Sequence, residues 1–138
     1  MKKMTTTIIT ILLCFNLYAP GNSSMVIVES KPIRPYERLI HAIGKVECNL
    51  DTLAYNPIEM ATGYYQIRPI RIVDYNKRTG SHYTLNDMYD YYEAEKVFLY
   101  YADRIGPYDF ERIAKSWNGS GYKTVEYWNK VKRELNKN

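Results

Sequence analysis

The segment from Pro35 to Cys48 constrains the fold most, because apolar residues recur along it at the spacing of an α-helix. Four of them share one face: Leu39, Ile40, Ile43 and Val46. This pattern predicts an amphipathic helix that buries one side against other elements. Pro35 suits the first turn of that helix, since proline lacks an N–H that the first turn would leave unpaired. Asn49 and Asp51 break the pattern, so the helix is expected to end near Cys48.

Glu47 falls on the apolar face of this predicted helix, four residues after Ile43 and seven after Ile40. A carboxylate on such a face loses hydration, which costs several kcal/mol unless it is paired or protonated. Desolvation also raises the pKa of a carboxyl group, as a general acid near neutral pH requires. Periodicity alone leaves two interpretations open: a tuned catalytic acid, or the last exposed residue of a fraying helix.

Composition predicts one globular domain and not a disordered chain. The 138 residues are 46% hydrophobic and 25% charged, which is enough for a domain with a real core. The net charge of +4 lacks the dense Lys/Arg patch of nucleic-acid-binding proteins, so no nucleic-acid partner is expected. This mild basicity suits an anionic polymer such as cell-wall material. The 15 tyrosines favour either a wet, aromatic-lined groove or Tyr-rich helix faces at the edge of the core.

Residues 1–24 are predicted to be an export signal that is not part of the fold. The basic segment Met1–Lys3 precedes an apolar run from Ile8 to Tyr18, which is too short to span a membrane comfortably. Small residues at 21–24 favour cleavage there. An exported protein, periplasmic or associated with the cell envelope, is therefore expected. A lipoprotein attached through Cys14 ranks second, because a bulky residue precedes that cysteine, and an uncleaved anchor ranks third.

Removal of this signal would leave Cys48 as a single thiol, which excludes an internal disulfide. A Cys–His hydrolase would need a histidine base, and the chain contains only His41 and His82. His41 lies about two helical turns from Cys48, which is too far for direct proton transfer. Cys48 is therefore expected to be a buried spectator or to pair with another chain.

The remaining sequence predicts one mainly α domain at residues 35–138, after an extended lead-in at 25–34. Residues 49–65 predict a loop or a short hairpin that passes over the end of the first helix. Further helices are expected with these bounds: Gln66–Thr79, Leu85–Arg104, Asp109–Lys115 and a last helix from Thr124. Three of these helices have a predicted buried face. In the helix from Gln66 it contains Ile67, Ile70, Val73 and Tyr75; in the helix from Leu85 it contains Met88, Tyr92, Val97, Phe98 and Tyr101; and in the last helix it contains Val125, Trp128, Val131 and Leu135. Thr84–Asp87 predicts a capping-box start, and Trp117–Gly121 predicts a loop.

Three short motifs follow one another along the chain: Glu47 at a helix end, the turn Ala61–Pro69, and the loop Ser116–Gly121 followed by Tyr127–Trp128. Together they resemble the lysozyme-like superfamily, specifically the soluble lytic transglycosylases and their goose-type lysozyme relatives. In that family a helix ends in Glu-Ser, a segment reads Ala-x-Gly-Leu-Met-Gln-x-x-Pro, and a later loop reads Ala-Tyr-Asn-x-Gly. The resemblance covers residues 36–131 and implies a mainly α (α+β) lysozyme-like fold.

The resemblance implies that Glu47 is the single catalytic acid. It implies a substrate-binding role for Gly63, Tyr64, Tyr65, Gln66, Trp117 and Asn118, and it implies no metal ion or other cofactor. Cys48 stands where the family has Ser, and Trp117 stands where it has the Tyr whose hydroxyl lies near the catalytic Glu. Tyr64 and Tyr65, in place of Leu-Met, would narrow the groove or stack on sugar rings.

The expected substrate is the glycan strand of peptidoglycan, cut at the β-1,4 bond between N-acetylmuramic acid and N-acetylglucosamine with formation of a 1,6-anhydro end. Glu47 would act first as acid and then as base, although Asp51, Glu59 and Asp74 are carboxylates that could help a water molecule attack instead. Two alternatives stay open: a goose-type muramidase, and a catalytically impaired glycan-binding or assembly protein of a secretion or conjugation machine. A monomer is expected.

Overall fold

The computed structural model describes residues 34–137, within which five α-helices and one small hairpin form the fold. The helices are α1 (Glu37–Cys48), α2 (Pro69–Thr79), α3 (Tyr91–Asp103), α4 (Phe110–Asn118) and α5 (Lys123–Leu135). Strands β1 (Tyr55–Asn56) and β2 (Ala61–Thr62) pair antiparallel between α1 and α2. The mainly α class predicted from the sequence is confirmed, and the segment after α1 is a hairpin.

The predicted export signal, with Cys14, and the lead-in at 25–33 lie outside the described residues. Within residues 34–137 no helix combines the length and the apolar character that a bilayer crossing requires.

Local signals placed the C-terminal ends of α1 and α2 correctly. The first helix ends at the predicted cysteine, after which Asn49 takes a left-handed conformation with φ 55° and donates its N–H to the carbonyl of Gly44. The second helix begins at Pro69, so the predicted start at Gln66 is wrong, although the proline lies in the first turn as predicted. It ends at Gly80, a left-handed residue with φ 73° whose N–H donates to the carbonyl of Asn76.

The predicted start of α3 at Leu85 is wrong, since this helix begins at Tyr91. A tight 3₁₀ turn, Asn86–Tyr89, precedes it. The predicted capping box at Thr84–Asp87 forms in part, because the Asp87 carboxylate accepts bonds from the N–H and the hydroxyl of Thr84. The stronger cap lies later: the Asp90 carboxylate accepts from two first-turn N–H groups of α3, and the helix starts there.

The predicted cap of α4 is correct, since the Asp109 carboxylate accepts the N–H of Arg112. The predicted end at Lys115 is wrong, because α4 continues to Asn118 and includes Trp117, which the sequence had placed in a loop. The Trp117 side chain is buried. Tertiary packing of this ring outweighs the weak local helix signal of the last turn.

The predicted buried face of α2 is on the wrong side. Ile70 and Val73 are 75% and 66% exposed, whereas Ile72 and Tyr75 are buried. Both pairs have the same i, i+3 spacing, so periodicity does not distinguish between them. Of the predicted set, Ile67 is buried but precedes the helix.

The predicted faces of α3 and α5 are correct only in part. Two predicted core residues are exposed: Tyr92 in α3 and Val125 in α5. The last helix starts at Lys123, one residue before the prediction, and buries Tyr127, Val131 and Leu135. Trp128 is half-buried and packs against the core. Tyr127 belongs to a second i, i+4 series with Val131 and Leu135, which is the series that faces α1.

An aromatic cluster fills the core beside α1. Tyr65 is fully buried and stacks on Phe98 with ring centroids 4.9 Å apart, and Trp117 meets Phe98 edge-on at 5.1 Å. The Tyr64 ring lies against Gly44 of α1, where an added Cβ would come within 2.0 Å of the ring. A glycine at this position of α1 is therefore required by the close approach of an aromatic ring.

Candidate active site

A groove of about 430 Å³ opens where the elements of the fold converge. The C-terminal end of α1 contributes Glu47, and the C-terminal end of α4 contributes Trp117 and Asn118. Residues from the hairpin, the start of α2 and the start of α5 complete the lining. Polar and charged side chains predominate, and Trp117 is the single aromatic residue among those of the described chain that line the groove.

The Glu47 side chain is half-buried in this groove, one residue before the end of α1. The hydroxyl of Tyr127 in α5 donates a hydrogen bond to its Oε1 at 2.7 Å. The Tyr127 ring is itself buried, so this donor is held in place by the packing of α5. This geometry contradicts the alternative of a freely exposed residue at a fraying helix end.

Burial raises the pKa of the Glu47 carboxyl to about 7, because loss of hydration disfavours its charged form. The hydrogen bond from Tyr127 and the positive charges of Arg68 and Lys130 oppose this rise, and the negative charge of Glu59 adds to it. The same contact and burial raise the pKa of Tyr127. The raised pKa allows Glu47 to hold a proton near neutral pH, which is the state that can donate one.

Four of the predicted site residues line the groove together, namely Glu47, Gln66, Trp117 and Asn118. Gln66 has a positive φ of 47° and uses its side-chain amide to hold the turn, donating to the carbonyls of Gly63 at 3.0 Å and Ala54 at 3.3 Å. Asn118 contributes its backbone carbonyl to an arginine described below.

The other three predicted residues, Gly63, Tyr64 and Tyr65, lie outside the lining of the groove. The rings of Tyr64 and Tyr65 are buried in the aromatic cluster, so the prediction that they stack on sugars or narrow the groove does not fit their positions. Gly63 has φ 75°, and a Cβ there would lie 2.0 Å from the carbonyl oxygen of Met88. These residues support the turn that carries Gln66 and do not face a ligand.

Trp117 does not occupy the role that its position in the motif suggested. Its indole N–H donates to the carbonyl of Tyr65 at 3.1 Å, so this donor is committed to the core and not to Glu47. The hydroxyl beside Glu47 comes instead from Tyr127. Tyr127 is not among the site residues predicted from sequence, although the second apolar phase of α5 would have placed it on the inner face.

Sequence reasoning also missed the cations of the groove, which are Arg68, Arg71 and Lys123. The guanidinium of Arg68 donates to the carbonyl of Asn118 at 3.0 Å. The guanidinium of Arg71 donates to the carbonyl of Trp117 at 3.1 Å and lies 4.8 Å from the centre of its indole. Arg68 and Arg71 flank Pro69 at positions that the family motif leaves unspecified, so the motif gave no signal for them.

Three carboxylates were considered as groups that could help a water molecule attack the substrate, and one of them lines the groove. Glu59 does, and its Oε2 is 3.9 Å from an Nη of Arg68. Asp74 instead binds Arg78 and accepts a hydrogen bond from Tyr101 on the outer side of α2. Asp51 caps the backbone N–H of Leu53 and does not line the groove.

The Cys48 thiol has the environment of a spectator. Its Sγ lies 3.3 Å from the carbonyl oxygens of both Gly44 and Tyr64, either of which can accept its proton. Burial raises the pKa of this thiol, which keeps it in the poorly nucleophilic protonated form. His41 is exposed, so no Cys–His pair forms.

Within residues 34–137 no group of three His, Cys, Asp or Glu residues is placed to hold a metal ion. Comparison with known protein families, with curated proteins and with solved structures gives no match to this chain.

Proposed function

We propose that this protein has a lysozyme-like fold and cleaves the glycan strands of peptidoglycan as a lytic transglycosylase, with Glu47 as its acid and base. One observation carries this proposal: a carboxyl group with a pKa of about 7 lies half-buried in an open polar groove, hydrogen-bonded to Tyr127. A carboxyl of this kind is what glycosidic bond cleavage requires of its general acid.

In the proposed reaction the protonated Glu47 donates its proton to the glycosidic oxygen as the C1–O bond breaks. The acetamido group of the N-acetylmuramic acid stabilises the resulting cation. The C6 hydroxyl of the same sugar then attacks C1 and returns its proton to the Glu47 carboxylate. The product is a 1,6-anhydro sugar, and no second carboxylate is needed. A pKa of about 7 suits both steps, because the group is nearly isoenergetic as acid and as base.

A second candidate function is a muramidase of the goose type, and Glu59 favours it. Glu59 is the other carboxylate among the described groove-lining residues, and its side chain is 55% exposed. A second carboxylate in the groove of a general acid can act as the base that activates water in a hydrolytic reaction. The product would then carry a reducing end.

The proposed setting is the cell envelope, which the protein would enter through the signal predicted at residues 1–24. A monomeric enzyme of this size would suit local opening of the wall for a secretion or conjugation machine. That role rests on the resemblance to lytic transglycosylases alone, because no residue of the groove indicates it.

Digestion of purified peptidoglycan, followed by mass spectrometry of the released fragments, tests this proposal. The wild type is expected to release fragments with 1,6-anhydro ends, and Glu47→Gln is expected to release none. Glu126→Gln, which changes an exposed glutamate of α5, is the matched control and should cleave normally. Unchanged cleavage by Glu47→Gln would remove the proposed mechanism.

The same experiment separates the alternatives. Reducing ends that disappear in Glu59→Gln would identify the hydrolase. Binding of the wild type to the wall without release of any fragment would identify a glycan-binding protein.

A further inference from the structure

The groove lining has an excess of positive side chains, which binding of a neutral sugar chain would not require. Three cations line it, namely Arg68, Arg71 and Lys123, against two carboxyl groups, Glu59 and Glu47. Glu47 contributes only part of a negative charge at neutral pH, because its pKa is raised to about 7. The groove therefore carries an excess of positive charge that favours an anionic ligand.

Two of these cations are fixed by the end of α4. Arg71 is committed to structure, because it donates to the carbonyls of Ser116 and Trp117 and lies over the rings of Tyr101 and Trp117. The Arg68 guanidinium lies 3.9 Å from the Glu59 carboxylate and makes one side-chain hydrogen bond within the described chain, to the carbonyl of Asn118. A guanidinium has five N–H donors, so Arg68 is oriented by this contact and keeps donors for a ligand.

Lys123 has a position that helix stability does not explain. It is the first residue of α5, where the partial positive charge of the helix end makes a cation unfavourable. It is exposed, and it forms no ion pair or side-chain hydrogen bond with the described residues. Its charge adds to that of the Arg68 guanidinium across the same groove.

We propose that Arg68 and Lys123 form an anion subsite of the groove that binds a carboxylate carried by the glycan substrate. This inference rests on the proposed function and specifies its substrate class: an acidic glycan in preference to a neutral N-acetylglucosamine polymer. Peptidoglycan offers such carboxylates from two sources. One is the stem peptide, and the other is the lactyl group that becomes free when the peptide is removed.

The test compares three oligosaccharides of equal length: a peptide-bearing glycan, the same glycan after amidase treatment, and a neutral chitooligosaccharide. The kcat/KM values of the wild type, Arg68→Gln, Lys123→Gln and the double variant are measured at about pH 6, where Glu47 is mostly protonated in every variant. Arg112→Gln is the matched control, because Arg112 is an exposed arginine of α4 that does not line the groove.

The wild type is expected to prefer acidic oligosaccharides by at least about tenfold, the size expected for one charge-assisted hydrogen bond. Arg68→Gln should remove most of this preference, because kcat/KM should fall further for the acidic oligosaccharides than for the neutral one, through KM, and its salt dependence should be reduced. Lys123→Gln should act in the same direction with a smaller effect, and Arg112→Gln should match wild type. A loss confined to the peptide-bearing glycan identifies the stem carboxylate, and a loss confined to the amidase-treated glycan identifies the lactyl group.

Equal loss on all three oligosaccharides would overturn the subsite, since it would show that Arg68 only supports the fold of the groove. Equal cleavage of acidic and neutral oligosaccharides by the wild type would overturn it as well. If the wild type cleaves none of them, the proposed function fails. Calorimetric binding of the same oligosaccharides to wild type and Arg68→Gln then decides the subsite: a weaker affinity of the variant for the acidic ligands alone supports it, and equal affinities overturn it.

Discussion

A buried tyrosine lies on each of two sides of α1, and the hydroxyl groups of these two tyrosines differ in their hydrogen bonding. Toward the groove, the hydroxyl of Tyr127 donates to Glu47 at 2.7 Å. Toward the aromatic cluster, the buried hydroxyl of Tyr65 makes no well-aligned hydrogen bond with the described residues, and its polar neighbour there is the hydroxyl of Tyr91. On the groove side the Tyr127 hydroxyl orients the Glu47 carboxyl group and affects its pKa. On the cluster side the tyrosine rings fill the core, and the Tyr65 hydroxyl contributes little to stability.

This contrast also explains what the tyrosine-rich composition means. The aromatic-lined groove considered from composition is not what the structure has, because the groove is mostly polar and Trp117 is its single aromatic residue within the described chain. Tyr64, Tyr65 and Tyr91 pack against one another in the core instead. These three tyrosines therefore serve core packing and do not line the groove, whereas others such as Tyr92 and Tyr108 are exposed.

The largest effect on stability is expected from Gly44→Ala, on the cluster side. The added methyl group would lie within 2.0 Å of the Tyr64 ring and would force the ring or α1 to move. We expect a loss of about 3 kcal/mol in the free energy of unfolding, at the upper end of overpacking effects. Urea denaturation measures it, and Tyr64→Leu in the same chain should recover part of the loss. No loss in the single variant would show that this packing is loose.

The next effect concerns stability on the groove side and depends on pH. The pKa of Glu47 rises from 4.5 in the unfolded chain to about 7 in the fold, so the folded state holds the proton more tightly. Its contribution to stability is complete below about pH 4.5 and is lost as the pH rises through 7. Glu47→Gln should not lose stability as the pH rises, because the glutamine amide is never charged. Its oxygen can still accept the hydrogen bond from the Tyr127 hydroxyl.

We expect Glu47→Gln to gain about 2 kcal/mol of stability relative to wild type between about pH 4 and pH 8. Urea denaturation of both proteins at the two pH values measures this change. A difference between wild type and variant that does not vary with pH would contradict the raised pKa.

Tyr127→Phe should have a smaller effect. It tests whether the Tyr127 hydroxyl positions the Glu47 carboxyl group or whether the tyrosine serves only the packing of the core. The lost hydrogen bond favoured the charged form of Glu47, so the pKa of Glu47 should rise further and the alkaline limb of the pH–activity profile should move to higher pH. The maximal rate should fall about tenfold, because the carboxyl loses the donor that orients it. Tyr108→Phe, at a tyrosine that is 99% exposed, is the control. An unmoved alkaline limb would show that Tyr127 serves packing alone.

Tyr65→Phe should have the smallest effect. Removal of a buried hydroxyl that has only a poorly aligned contact with the Tyr91 hydroxyl leaves the stacking on Phe98 in place and relieves a desolvated polar group. We expect a change in the free energy of unfolding within about 0.5 kcal/mol, or a small gain. A loss above about 1 kcal/mol, measured by urea denaturation, would mean that the hydroxyl has a partner and would weaken the contrast between the two sides.

Sequence reasoning succeeded where a local signal decides the structure. Pro69 and Gly80 mark the ends of α2, and Asp109 caps α4, because each acts on the backbone of its immediate neighbours. Glu47 was singled out for the same reason, since its place on an apolar face is visible within one helix.

Sequence reasoning failed where distant contacts decide. The pairs Ile70–Val73 and Ile72–Tyr75 have identical spacing, and only the packing of α2 determines which pair is buried. The partner of Glu47, Tyr127, is 80 residues away in sequence. No local pattern shows such a contact, and the motif suggested Trp117 of α4 beside Glu47, whereas the hydroxyl there belongs to Tyr127 of α5.

Titration of Glu47 in the folded protein tests the central claim most directly. The carboxyl carbon can be followed by ¹³C NMR across the pH range, with its signal assigned by its absence in Glu47→Gln. A pKa of about 7, matched by the alkaline limb of glycan cleavage, is the predicted result. A pKa near its ordinary value of 4.5 would contradict the account, because the groove would then hold a carboxylate that has no proton to give at neutral pH.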